Sequence, residues 1–332
     1  MIILFRYYSK YVVKLFSVFI LIVSCTQIKQ VKSKPEYSDV DFNSFSLIEL
    51  TSIKEGPFVK PKFSLNNSAV FFLSDNLSSL YYEKLASGQV INIYSSEEKI
   101  TEYLPIGSSD SAFVVERNYS PKSQIKSSLI FVKEGKVIKI EKSSEVISNL
   151  SLTSKNNLVF FEGSRIKFYD AKSDKINDRT EDDYEAVFID STNILFYAKN
   201  KTDKINLTNH QNVSWVSKIS NDSLLIYSGE DKLILLSLKL KDIVKIGDYT
   251  SPVYNKLYKK IAVLNTKDNG MKELSSDILL LDLNGLKISN LTKSPAKIES
   301  NIQWSHDGKK LAFDESGQIK LISFGQRNPI TK

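Results

Sequence analysis

Residues whose side chains could do acid–base or metal chemistry are few and scattered in this sequence. It contains one cysteine and two histidines, and neither His210 nor His306 has the spacing of a metal-ligand pair. Adjacent carboxylates occur at Glu97-Glu98 and Asp182-Asp183, in polar segments where carboxylates are usually solvated. The sequence has no Gly-x-Ser-x-Gly nucleophile motif and no glycine-rich phosphate loop. It therefore predicts a protein that is not an enzyme, with no catalytic residues, no cofactor and no bound metal.

The single cysteine, Cys25, lies in a setting of a different kind. Three positive charges and no acidic residue precede an apolar run from Leu15 to Ser24, which is the layout of a secretory signal. The run is too short to cross a bilayer, because a membrane-spanning helix needs roughly 20 apolar residues. An uncleaved signal anchor with an incidental thiol is the alternative.

The segment Ile22-Val23-Ser24-Cys25 resembles the bacterial lipobox. In that family the cysteine is acylated and the peptide before it is removed. The resemblance implies a signal peptide at residues 1–24 and lipidation at Cys25. Residues 25–42 are then the lipid anchor and a flexible tether, since they are polar and lack apolar periodicity.

Composition and charge exclude several classes of protein. The chain of 332 residues is 42% hydrophobic and 11% aromatic, which is typical of a globular protein with an aromatic surplus. The formal net charge of +7 is spread along the chain, without a basic run that contains interleaved aromatic residues. This distribution indicates a solvated surface and argues against a nucleic-acid partner.

The elements that would position a site repeat along the chain. Short apolar strands, most of which follow a turn rich in Asn, Asp or Ser, recur about every 40 residues, the spacing of four-stranded propeller blades. They are apolar on both faces, which is typical of strands that are covered on both sides. The seven strands are Ala69–Leu73, Ala112–Val115, Leu158–Phe161, Ile194–Tyr197, Leu224–Tyr227, Ile261–Leu264 and Leu311–Phe313.

The last unit, Trp304-Ser-His-Asp-Gly-Lys-Lys-Leu-Ala-Phe313, resembles the repeat of TolB-type, WD40-like β-propellers, as does Asp277–Thr292. The resemblance implies an all-β fold over residues 43–332, most simply a propeller of seven four-stranded blades, with six or eight blades as alternatives. The unit between residues 184 and 210 shows only three strands.

Two further features bear on how such a ring would be held together. Phe45–Leu50 has strand character and no nearby partner, so it is expected to close the ring by pairing with the last blade. Trp215 and Trp304 stand at matching points of their units and are expected to pack between blades.

The resemblance, and not residue chemistry, carries the functional expectation. It implies a lipid-anchored scaffold of the bacterial cell envelope, on the periplasmic side of the outer membrane, that docks an envelope protein partner on one propeller face. One alternative is a surface-exposed lipoprotein that binds host or environmental macromolecules. The other is a propeller hydrolase with carboxylates around its central channel.

Overall fold

The computed structural model describes residues 40–107, 110–118, 126–180, 182, 184–190, 193–198, 200–206, 213–229, 232–240 and 242–326. In these residues the chain forms 27 strands in seven antiparallel sheets, with one short 3-10 turn at Ile53–Glu55. No helix among them is long and apolar enough to cross a membrane.

The sheets follow one another along the chain and are numbered here as blades 1 to 7. The first strand, β1 (Val40–Glu49), belongs to the last blade. Blade 1 contains β2 (Phe58–Phe63), β3 (Ala69–Ser74), β4 (Ser79–Lys84) and β5 (Gln89–Ser95). Blade 2 contains β6 (Lys99–Pro105), β7 (Ser111–Asn118), β8 (Lys126–Lys133) and β9 (Lys136–Ser143). Blade 3 contains β10 (Ile147–Leu152), β11 (Leu158–Glu162), β12 (Arg165–Asp170) and β13 (Lys175–Asn177).

The remaining blades follow in the same way. Blade 4 contains β14 (Glu185–Asp190), β15 (Asn193–Ala198) and β16 (Lys201–Asn206). Blade 5 contains β17 (Val213–Ser220), β18 (Ser223–Ser228), β19 (Lys232–Ser237) and β20 (Ile243–Gly247). Blade 6 contains β21 (Thr250–Asn255), β22 (Lys260–Asp268), β23 (Glu273–Leu281) and β24 (Lys287–Asn290). Blade 7 contains β25 (Glu299–Trp304), β26 (Lys310–Glu315), β27 (Gln318–Gln326) and β1.

The ends of the strands define two faces of the propeller. The upper face is the end at which the first strands of blades 1–3 and 5–7 begin. The lower face is the opposite end, which carries the turns between first and second strands and between third and fourth strands. Local side chains build these turns. The Asn66 side-chain oxygen, for example, accepts hydrogen bonds from the backbone N–H (3.1 Å) and the hydroxyl (2.7 Å) of Ser68, directly before β3.

The hydrophobic core lies between the blades and not within them. Seven clusters of buried side chains each join one blade to the next, and the seventh joins blade 7 back to blade 1. In that closing cluster Phe58 and Phe72 of blade 1 pack with Ile319 and Leu321 of blade 7. The second strands are covered on both faces, which explains their uninterrupted apolar sequences. The sequence prediction of an all-β ring of seven blades is confirmed.

The ring closes through β1, which supplies the outer strand of blade 7. It pairs antiparallel with β27, and Phe45 lies opposite Phe324. The sequence analysis placed a closing strand at Phe45–Leu50, and the strand of the structure begins five residues earlier, at Val40. Val40 and Phe42 therefore belong to the propeller and not to the tether, because both are buried against blades 6 and 7.

Blade 4 departs from the pattern in its strand number and in its direction. Its described residues form three strands. Four antiparallel strands return the chain to the face where it started, whereas three strands end on the opposite face. The chain must therefore pass once from one face to the other outside the strands. The Lys155 amine, in the turn before β11, pairs with the Asp182 carboxylate at 2.8 Å. Glu185 at the start of β14 pairs with Lys218 near the end of β17 at 3.1 Å. Both ion pairs place the start of β14 at the lower face, so this blade runs opposite to its neighbours.

Candidate channel site

The central channel is lined by the first strand of each blade. First strands lie at one edge of their sheets, and in five of the seven neighbouring pairs of blades they approach each other. Their unpaired edges face the axis of the ring. Side chains that leave these edges are therefore the ones that a ligand in the channel would meet.

Six of the seven first strands are interrupted at a similar level, near the upper face. Each interruption is a β-bulge, in which one or two residues have no partner in the second strand. β14 of blade 4 pairs without a break. The polar residues at the bulges are Lys60, Thr101, Asn149, Ser214, Ser251 and Asn301. They are called the bulge ring here.

Four bulges share one backbone geometry. Lys60, Asn149, Ser251 and Asn301 have left-handed φ angles between 48° and 57°. Each is followed by a buried Pro, Leu or Ile that anchors the bulge in the core. Asn tolerates this conformation, but Lys and Ser adopt it rarely, and such conformations concentrate at functional sites. The repeated geometry places a polar residue at the same level of the first strand in four blades.

Carboxylates from neighbouring blades hold these bulges in place. The Glu102 carboxylate of blade 2 accepts the backbone N–H groups of Asn149 and Leu150 in blade 3, both at 2.8 Å. The Asp314 carboxylate of blade 7 accepts the N–H of Lys60 in blade 1 at 3.1 Å and the side-chain amide of Asn301 at 2.7 Å. Hydrogen bonds to a charged acceptor are stronger than neutral ones, so these contacts also join the blades.

Lys62, two residues after the bulge at Lys60 in the first strand of blade 1, has an unusual environment for a lysine. Its amine donates a hydrogen bond to the Tyr103 carbonyl at 2.8 Å and lies 5.1 Å from the centre of the Tyr103 ring. Burial lowers the pKa of Lys62 below its ordinary value; the Glu102 carboxylate opposes this shift, and the nearby Lys60 charge adds to it. A lysine with a lowered pKa releases its proton more readily than an ordinary lysine does.

The structure gives the residues singled out from the sequence mostly structural roles. His306 is exposed in the turn before β26, where its backbone N–H donates to the side-chain oxygen of Asn67 at 2.8 Å. Trp304 is buried between blades 6 and 7, and Trp215 packs between blades 5 and 6 as expected.

The acidic residues that the sequence analysis considered also make structural contacts. Asp182 accepts hydrogen bonds from Thr153 at 2.6 Å and Asn157 at 2.9 Å. Glu98 accepts one from Asn118 at 2.7 Å. Cys25, His210 and Asp183 lie outside the described residues. Within the part of the chain that the structure describes, no group of three His, Cys, Asp or Glu side chains is arranged to hold a metal ion.

The bulge ring and Lys62 were not predicted from the sequence. A faint signal exists, since four first strands carry a polar residue followed directly by Pro, Leu or Ile: Lys60-Pro61, Asn149-Leu150, Ser251-Pro252 and Asn301-Ile302. The period of two that marks a regular strand fails at these dipeptides, and a failed period in a first strand indicates a bulge.

Comparison with known proteins identifies the fold. No protein-family model matches the chain, and no curated protein matches it in sequence. A solved structure of a streptogramin B lyase superposes with a TM-score of 0.56 and 12% identity, over 85% of this chain and 99% of that one. The chain is a seven-bladed β-propeller. An oligogalacturonate lyase from Vibrio parahaemolyticus aligns at 11% identity over 83% of this chain and 80% of that one, with a TM-score of 0.41.

These comparisons correct two expectations. The resemblance to TolB-type repeats holds for the propeller fold and is not confirmed for a TolB-type lipoprotein. The prediction that the protein is not an enzyme is wrong in its reasoning: it rested on absent motifs, whereas a streptogramin B lyase shares the fold.

Proposed function

We propose that the protein binds a small polar substrate in its central channel and hydrolyses it by acid–base chemistry. The observation that carries this proposal is the bulge ring, because six blades independently break their first strands at one level and present polar side chains there. Strand breaks weaken a sheet. Their repetition around one axis favours a role in binding.

The bulge ring favours a substrate rich in hydroxyl and carbonyl groups. The exposed residues Asn149, Ser214 and Ser251 carry an amide and two hydroxyls, so the ring offers both donors and acceptors. The Asn301 amide nitrogen already donates to Asp314, which leaves its side-chain oxygen as an acceptor. Lys60 is the one charged side chain of the ring. A carboxylate or another electron-rich group of the substrate would be oriented towards it.

Lys62 is the group best placed to move a proton. Its amine keeps one N–H on the Tyr103 carbonyl, so in the neutral form its lone pair remains available. In the proposed step it takes a proton from a water molecule whose oxygen attacks the acyl or anomeric carbon of the substrate. The leaving group then takes that proton back, and the lysine returns to its neutral form.

We further propose that the protein is a lipoprotein of the bacterial envelope, anchored through Cys25. The lipobox-like segment before Cys25 and the signal-like residues 1–24 support this location. An envelope protein partner stays a prediction from the resemblance.

Turnover of a substrate panel by the purified full chain tests the proposed activity. Lactones, esters and glycosides are the three substrate classes to include.

For any compound that is turned over, Lys62→Gln is expected to lower kcat/KM by roughly 100-fold, because general-base catalysis contributes about that much. Asn149→Ala should mainly raise KM. Lys99→Gln, at an exposed lysine at the start of β6, is the matched control and should change neither. Full activity in Lys62→Gln, or no turnover of the panel by the wild type, contradicts the proposal.

A further inference from the structure

Blades 5 and 6 expose leucines at their lower-face turns. Leu240 lies in the turn after β19, Leu257 in the turn after β21 and Leu286 in the turn before β24. Their exposed fractions are 68%, 61% and 66%, which is high for side chains of this size. By strand order all three turns lie on the lower face.

The turns that carry the three leucines belong to two neighbouring blades, 5 and 6, which pack against each other. The turn at Gly285 packs against β20 of blade 5 so closely that a Cβ added to Gly285 would lie 2.9 Å from the Ile246 side chain. Each exposed leucine also has an exposed lysine directly beside it in sequence: Lys239, Lys256 and Lys287. These three leucines and three lysines are called the leucine surface here.

This pairing is not a general property of the turns. The corresponding turns of the other described blades carry small or polar residues at their tips, among them Asn67, Ser87, Asn156, Ser173 and Asp307. Those residues satisfy turn geometry and keep the surface soluble. Exposed leucines in neighbouring turns instead mark a surface that contacts something apolar.

The course of the chain indicates what that contact is. Val40, where β1 begins, pairs with Gln326 at the lower face. Two residues later the Phe42 ring packs against Tyr258 at 5.3 Å, in the same turn as Leu257. The first described residue of the propeller, Val40, therefore lies on the same face as the leucine surface, and Phe42 contacts one of its turns. The 14 residues between Cys25 and Val40 span at most about 50 Å when fully extended.

We propose that the leucine surface docks on the anionic lipid surface of the membrane in which Cys25 is anchored. This inference rests on the proposed lipid anchorage. Leucines at the turn tips would enter the boundary between headgroups and acyl chains, and the adjacent lysines would meet anionic headgroups. The tether holds the propeller near the bilayer, so that even weak docking is favoured by a high effective concentration. The upper face, where the channel has its bulge ring, then points away from the membrane.

Depth-dependent fluorescence quenching tests the docking. The full chain carries Leu257→Cys, or, as a matched control, Leu274→Cys at a half-exposed leucine near the start of β23 on the upper face. Each protein is labelled with an environment-sensitive dye and reconstituted into vesicles of phosphatidylethanolamine and phosphatidylglycerol. The parent chain, whose only cysteine is Cys25, reports whether that thiol is acylated and so protected from the dye.

Brominated acyl chains are expected to quench the dye at position 257 at least about threefold more than the dye at position 274. Replacing phosphatidylglycerol with a neutral lipid, or combining Leu240→Ser with Leu286→Ser, should reduce that difference. Equal quenching at the two positions in protein that floats with the vesicles overturns the docking, leaves the anchorage intact and assigns the surface to a protein partner.

Failure of the anchorage gives a different result. A parent chain that takes the dye at Cys25 and stays in the aqueous fraction overturns the lipid anchor. The docking is then judged by the position 257 probe at high vesicle concentration, where the absence of quenching overturns it as well.

Discussion

Among the carboxyl groups that the structure describes, Glu83 is buried with one oxygen that accepts no hydrogen bond. It is 3% exposed in β4, and its Oε2 atom has no hydrogen-bond partner among the described residues. Burial raises the pKa of Glu83 to about 7, and the Glu55 charge adds to that shift. The folded protein therefore holds the Glu83 proton more tightly than the unfolded chain does, for which a pKa near 4.3 is typical.

The resulting pH dependence has a definite sign. The stability that protonated Glu83 contributes is fully present below pH about 4.3 and is lost as the pH rises through about 7. Glu83→Gln is expected to raise the free energy of unfolding by about 2 kcal/mol at pH 8 and by much less at pH 5. Urea unfolding at both pH values measures this. The control is Glu97→Gln, at an exposed carboxylate. An equal effect of Glu83→Gln at the two pH values contradicts the assignment.

Residue-level chemistry was the part of the site least predictable from the sequence. Lys62 and Lys60 are two of many lysines along the chain, and nothing local marks one as buried at a channel. Their environment depends on Glu102 and Tyr103, about 40 residues away in the next blade. The lowered pKa of Lys62 depends on residues of the neighbouring blade, so the sequence of blade 1 alone does not indicate it.

At the scale of elements, the closing strand is where the ring is fastened. The Phe42 ring lies 4.9 Å from that of Phe324 and 5.3 Å from that of Tyr258. Phe42→Ala is expected to lower the free energy of unfolding by about 3–4 kcal/mol, because it leaves a cavity between blades 6 and 7. Leu47→Ala, in the same strand but half-exposed, should cost less than about 1 kcal/mol. Equal losses in urea unfolding show that β1 does not close the ring.

Blade 4 is expected to be the least protected part of the propeller. Its buried apolar side chains among the described residues are Phe188, Ile194 and Tyr197, whereas blade 7 buries both faces of β26. Amides of β15 should exchange with solvent at least about tenfold faster than those of β26, because local opening there exposes less apolar surface. Hydrogen exchange with mass spectrometry checks this, and equal protection of the two strands contradicts it.

The second strands could be predicted from the sequence, whereas the crossing into blade 4 could not, and the reason is physical. The second strands are buried on both faces, and a short apolar run bounded by turn residues marks them clearly, as at Ala69–Leu73 in β3. The crossing into blade 4 has no such mark. Because blade 4 has an odd number of strands, it runs opposite to its neighbours. The ion pair between Glu185 and Lys218 shows this reversal, and the sequence alone does not.

At the scale of the whole molecule, the structure is a chain of repeats that becomes stable through closure. Each blade buries its faces only against two neighbours, so an open array would leave two apolar faces exposed. Pairing of β1 with β27 joins segments more than 270 residues apart, and such a long-range contact is expected to form late in folding. Closure also brings the six bulged first strands into one ring.

A crystallographic fragment screen of the protein shows directly whether the bulge ring is a binding site. Small polar fragments rich in hydroxyl, amide or carboxylate groups are the compounds to use. Bound fragments are expected to concentrate in the channel, within hydrogen-bond distance of Lys60, Asn149 or Asn301 and close to the Lys62 amine. Fragments that bind elsewhere on the propeller, while the channel stays filled with water alone, contradict this expectation.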